Sequence, residues 1–238
     1  MKPVNFIKMM SQPDDITCGP TSLHAIYNHY GLTIDLDDVI GSVKSLEGGG
    51  TLAVMLGIDA LKKGFSARIY SYNLKMFDPS WDGISNGELV DLLEKQLQFK
   101  TGKKFEQATR AYQTFLILGG EILFEHLQPT IFKSYFDKDI PVLTGLSATY
   151  LYNSPREYTN RKNKSVFDDL RGEPMGHFVV LSGMKESSVF VADPYKENPI
   201  SGNNYYEVNI NRLINSILLG SVTYDANMLI VIPKGQFT

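Results

Sequence analysis

The chain has 238 residues, 43% of them hydrophobic and 21% charged, with a formal net charge of −3 and a single cysteine. That length and apolar content describe a soluble globular protein able to bury its own core. The charge balance gives no electrostatic footprint for nucleic acid, and one cysteine excludes an intramolecular disulfide. No apolar run reaches the ~18 residues of a spanning helix, and Met1 to Met10 lacks the apolar stretch and small-residue cleavage site of a signal peptide. The expectation is a cytoplasmic protein without stable membrane insertion, folded as a single domain over 1–238.

The first strong signal along the chain runs from Gln12 to Gly31. Pro20 suits a first helical turn, where its missing N–H is not needed. Leu23, Ile26, Tyr27 and Tyr30 then recur at spacings of three and four, and Gly31 is a natural stop. Cys18 therefore falls at the mouth of a helix, where unpaired N–H groups and the positive end of the helix dipole favour thiolate over thiol. A buried small hydrophobe is the alternative reading of a lone cysteine.

A short helix is expected over Asp35 to Val43. A glycine turn at Glu47 to Thr51 then delivers Thr51 as N-cap of a helix ending at Lys63 and Gly64. Phe65 to Tyr72 alternates as a strand. Residues 73 to 139 carry helical patterns at Asn86 to Phe99, Phe105 to Leu118 and Glu121 to Phe136, and read as a helical insertion in the core fold. The apolar run from Ile140 to about Tyr150 reads as a central strand, and 153 to 174 is a long polar loop.

Gly176-His177-Phe-Val-Val-Leu181 and Val189-Phe-Val-Ala-Asp193-Pro194 are two short apolar runs with turn residues between them. They read as a β-hairpin with His177 on one strand and Asp193 at the end of its neighbour. Tyr195 to Tyr205 is a turn, Tyr206 to Asn209 a strand edge, Ile210 to Leu219 a helix, and Ala226 to Ile232 a closing strand. His24, His29 and His126 show no ligand pattern, so neither a metal nor another cofactor is expected.

A nucleophilic thiol needs a base, a group that orients the base, and donors for the oxyanion that forms on the substrate. Cys18, His177 and Asp193 offer the first three, and Gln12, six positions before the cysteine, offers an amide N–H. In this order, with Gly19 after the cysteine and Pro194 after the aspartate, they resemble the bacteriocin leader-processing (double-glycine peptidase) branch of the papain-like cysteine peptidases, in a free-standing form. The resemblance implies an α+β papain-like fold, with a helical part carrying Cys18 packed on an antiparallel sheet carrying His177 and Asp193. It implies Cys18 as nucleophile, His177 as general base and acid, Asp193 as orienter and Gln12 as oxyanion donor, acting on a peptide or protein. Two other readings stay open: an acyl transferase of the transpeptidase or phytochelatin-forming sort using the same thiol, and a non-catalytic binding module with a papain-like cleft. Substrate identity and oligomeric state are not legible in the sequence.

Overall fold

Met228-Leu-Ile-Val-Ile232 is apolar at every position, a pattern that suits a strand only when both of its faces are covered. The computed structural model, which describes residues 7–47, 49–159 and 165–236, is arranged to cover them. In chain order the elements are α1 (Cys18–His29), α2 (Leu36–Ser42), α3 (Ala53–Lys62), β1 (Phe65–Ser71), α4 (Asn86–Gln96), α5 (Lys103–Ile117), β2 (Glu121–Leu123), α6 (Pro129–Phe136) and β3 (Val142–Ser147). There follow α7 (Ala148–Tyr152), β4 (Glu157–Thr159), β5 (Ser165–Phe167), β6 (Gly176–Lys185), β7 (Ser188–Ala192), β8 (Tyr205–Asn209), α8 (Ile210–Leu219) and β9 (Asn227–Pro233). Met1 to Phe6, Gly48 in the glycine turn, and Arg161, Lys162 and Lys164 of the polar loop lie outside the described residues.

Among the described residues, seven strands form one sheet in the order β2-β1-β9-β3-β6-β7-β8. Phe178 and Val180 of β6 and Leu229 and Val231 of β9 face one core with Leu23, Ile26, Leu56 and Phe115 from α1, α3 and α5. Val179 and Leu181, with Met228, Ile230 and Ile232, face a second core closed by Phe132 of α6 and by Leu213 and Ile217 of α8. Each fully buried aliphatic side chain contributes about 1.5–3 kcal/mol, and a register slip of one residue would exchange the two sets. The register is therefore fixed from both sides, and with it the position of His177, opposite Leu146 on β3.

Several elements differ from the sequence expectation. The sheet is antiparallel except at one edge, where β2 pairs parallel with β1. Glu121 to Leu123 is this edge strand and not the start of a helix. Gly119, at φ 90°, ends α5, and Glu121 is then held opposite Arg68 by an ion pair of 2.7 Å. Segment 73–139 thus adds a strand to the sheet as well as helices.

The run after Ile140 is a strand only to Ser147, whose Oγ accepts from the Tyr150 N–H and opens α7. Thr51 is not the cap of α3; Leu52 holds that position, and the Thr51 hydroxyl instead donates to the Lys44 carbonyl at 3.2 Å. Part of the polar loop folds as the β4–β5 ribbon.

Thr51 also bears on the cysteine helix. A Cβ on Gly19 would collide with the Thr51 methyl and come within 3.3 Å of the Phe178 ring. Only glycine lets the first turn of α1 approach β6 this closely. Gly19→Ala is expected to lower stability by about 1–3 kcal/mol, the usual cost of overpacking, and Thr51→Ser, which removes the methyl, to recover part of it. Thermal unfolding of the single and double variants checks this; a Gly19→Ala protein as stable as the wild type would contradict the packing.

Candidate active site

Cys18 is the first residue of α1, half-buried, and no side chain caps that helix end. The turn ahead of it is made by Asp14, whose Oδ1 accepts from the Ile16 N–H at 3.0 Å and from the Thr17 hydroxyl at 2.8 Å. An aspartate that bonds the backbone two residues on is the usual device for such a turn. The helix is fastened to the sheet by Ser22, whose hydroxyl donates to the Phe178 carbonyl at 3.2 Å. The sulfur-bearing helix is thus bonded to the residue next to His177.

His177, the second residue of β6, is 7% exposed, and Asp193, directly after β7, is fully buried. The hairpin joining them turns at Glu186 and Ser187, Glu186 taking a left-handed φ of 54°. The His177 Nε2 donates to Asp193 Oδ1 at 2.8 Å. Burial pulls the His177 pKa down, but the charges of Asp193 and of the Cys18 sulfur, with hydrogen bonds to both, push it up to about 10. Nε2 faces the carboxylate, which leaves Nδ1 as the ring nitrogen for the sulfur.

Asp193 accepts four hydrogen bonds. Oδ1 takes the His177 Nε2–H and the Tyr195 N–H at 2.8 Å; Oδ2 takes the hydroxyls of Tyr152 and Tyr206, each at 2.8 Å. Burial alone would raise its pKa. The His177 charge and the bonds from His177, Tyr152 and Tyr206 hold it below the usual carboxylate range. The Asp193 main chain is clamped by Asn204, whose carbonyl accepts the Asp193 N–H at 2.8 Å and whose side-chain amide donates to the Asp193 carbonyl at 2.6 Å. The rings of Tyr152 and Tyr195 flank the imidazole at 6.1 and 6.5 Å between centroids.

The Gln12 backbone N–H donates to the Pro194 carbonyl at 2.9 Å, which ties the segment ahead of Cys18 to the turn after Asp193. The Gln12 side chain folds locally, its Nε2 donating to the Asp14 carbonyl at 2.7 Å, with Oε1 buried and unbonded. One of its two amide N–H bonds is therefore engaged inside its own turn. A cavity of about 590 Å³ between α3 and α5, lined by residues such as Met55, Ile58 and Arg110, includes none of these four residues.

Sequence reasoning missed three members of this neighbourhood. Tyr152 lies just past a run read as strand, and Tyr206 was visible only as a strand-edge residue. The third is Asp225, buried against Gly176, where a Cβ would strike its carboxylate. Burial raises the Asp225 pKa to about 7, against the opposing pull of Thr223, Lys104 and His177. A third strand following the hairpin was the available signal for Tyr206; nothing local marked Asp225.

A thiol, an imidazole and a buried carboxylate in series can move a proton from sulfur to ring and hold the resulting charge. The Peptidase_C39-like family model matches residues 4–216 of the chain. Similar solved structures include a C39-like peptidase from Bacillus anthracis, 15% identical over 95% of this chain and 94% of that one, with a TM-score of 0.48. A double glycine motif protease from an AMS/PCAT transporter, solved in complex with the leader peptide, is 14% identical over 98% and 96%, with a TM-score of 0.46. The peptidase domain of Streptococcus ComA, a bi-functional ABC transporter of a quorum sensing pathway, is 12% identical over 96% and 100%, with a TM-score of 0.45. No curated protein matches the chain. With α1 against a sheet that carries His177 and Asp193, and a family match over nearly the whole length, this chain has the α+β papain-like cysteine peptidase fold and belongs to the Peptidase_C39-like family.

Proposed function

We propose that the protein is a cysteine peptidase that hydrolyses an amide bond of a peptide or protein, with Cys18 as nucleophile, His177 as general base and acid, and Asp193 as orienter. The observation that carries this reading is the 2.8 Å bond from His177 Nε2 to a carboxylate that is itself fully hydrogen-bonded and buried. A structural ion pair has no need of a nucleophile at a helix N-terminus on its far side. In the proposed reaction the Cys18 proton already rests on His177, and the thiolate attacks the carbonyl carbon. The oxyanion is held by the Cys18 N–H and the Gln12 amide, and protonated His177 then gives its proton to the departing amine. Water, deprotonated by His177, hydrolyses the thioester and restores the thiolate beside the imidazolium.

Gln12 belongs in this reading because its main chain is bonded to the Pro194 carbonyl, beside the orienter. Its role requires the side chain to turn one N–H from its local bond toward the substrate oxygen. A cytoplasmic location is part of the proposal, supported by a lone thiol that works only when reduced. Among the described residues no helix is long and apolar enough to cross a membrane.

Three outcomes test the assignment. With a proteome-derived peptide library and mass-spectrometric detection, Cys18→Ala is expected to yield no cleavage. Asp193→Asn should fold yet lose about 10²–10⁴ in turnover, as triad orienters do, whereas a mere turn residue before Pro194 could be exchanged with near-full activity kept. Gln12→Ala should lose about 10²–10³ in kcat with KM nearly unchanged, since an oxyanion donor acts only in the transition state; a wild-type kcat would remove it from the site.

The pH dependence of stability follows from His177. Its pKa lies above the ordinary 6.5 in the folded state, so its stabilisation is full below 6.5 and is lost as pH rises through about 10. Denaturant titrations of wild type and His177→Gln should therefore converge across that window. A constant gap between the two would contradict the charged imidazole.

A further inference from the structure

We infer that Tyr152 and Tyr206 are positioning residues that together clamp Asp193 Oδ2, fixing the carboxylate so that Oδ1 stays aimed at the His177 ring. The inference rests on the peptidase reading above and deepens it. Two hydroxyls from separate parts of the chain, the end of α7 and the edge strand β8, meet on one oxygen at 2.8 Å each. Tyr206 is brought there by its pairing with Val191 on β7, two residues before Asp193. Tyr152 is brought there by the helical turn that Ser147 opens and that ends at Asn153, a non-glycine residue in the left-handed region at φ 55°.

A carboxylate offers about four lone-pair sites, and here all are taken: Nε2–H and an N–H on Oδ1, two phenols on Oδ2. Without the phenols, Oδ2 would be a buried anionic oxygen with no donor. The group would then relieve itself by rotating away from the imidazole or by taking up a proton. The phenols are dependable donors, because burial and the neighbouring Asp193 charge push both of their pKa values far above the ordinary range. Tyr152 does a second thing: its ring lies 6.1 Å from the imidazole, and its ionisation is further opposed by the Cys18 sulfur, so it borders the thiol as well as the carboxylate. Simple packing would be served equally by phenylalanine, which has the same ring.

The titratable groups that face the His177–Asp193 pair are Cys18 from α1, Tyr152 from α7, Tyr195 and Tyr206 after β7, and Asp225 before β9. The test is the rate of Cys18 alkylation by iodoacetamide against pH, which needs no substrate, in wild type, Tyr152→Phe, Tyr206→Phe, the double variant, Asp193→Asn and His177→Ala. Each lost hydroxyl is expected to shift the acid limb of the profile upward and to slow alkylation on that limb about 10-fold, the effect of one hydrogen bond to a charged group. The double variant should approach Asp193→Asn. Tyrosine variants whose profiles superimpose on a wild-type limb that His177→Ala abolishes would overturn the clamp and leave the peptidase reading standing. A wild-type profile identical to that of His177→Ala would overturn the Cys18–His177 pairing itself. Should the double variant fail to fold, the two single variants decide the matter by the same limb.

Discussion

The structure around the candidate site depends on keeping one fully buried carboxylate ionised. Moving such a group out of water costs several kcal/mol unless it is paired and its lone pairs are satisfied. Asp193 meets that condition only because four parts of the chain converge on it: β6 with His177, α7 with Tyr152, β8 with Tyr206, and the Tyr195 N–H in the turn that follows. The Pro-, Gly- and Asn-rich segment after β7 is shaped for this by Asn198, nearly fully buried, which donates to the Tyr195 and Asn203 carbonyls at 2.8 and 2.7 Å. A single defect in this set would leave one lone pair of a buried charge without its donor. The sheet order, with β6, β7 and β8 adjacent, is therefore also the wiring of the site.

From that fixed carboxylate the chemistry follows outward. The imidazole is held in one orientation, its charged form is favoured, and its other nitrogen is left for sulfur. Asp225 sits against Gly176, the residue before His177, and its charge is opposed by burial. The two aspartates near His177 are thus pushed in opposite directions: the one with four donors is held ionised, the one with few is driven toward neutrality. Placing a second fully ionised carboxylate there would compete with Asp193 for the same imidazolium.

Much of this was legible in the sequence because it is local. The spacing of Leu23, Ile26 and Tyr27 marks the cysteine helix, and Gly31, at φ 81°, ends it with the Leu32 N–H bonded back to the Tyr27 carbonyl. The two apolar runs flanking Glu186 and Ser187 mark the hairpin. What was not legible is set by long-range contacts. Glu121 to Leu123 has no strand signature of its own and is extended because β1 offers an unpaired edge and Arg68 an ion pair. Thr51 looks like a helix cap until its methyl is needed beside Gly19. Tyr152 and Tyr206 are 54 residues apart, and only the sheet and α7 bring their hydroxyls to one oxygen.

With its Nε2 bonded to Asp193, His177 keeps its proton far above the pH at which an ordinary histidine loses it. Nitrogen-15 NMR of the ring as a function of pH reads this directly. Both ring nitrogens are expected to remain protonated at pH 8, with the Nε2 proton shifted downfield by its 2.8 Å bond to Asp193, and to titrate only toward about 10. A His177 ring that titrates near the ordinary 6.5 and is neutral at pH 8 would contradict it.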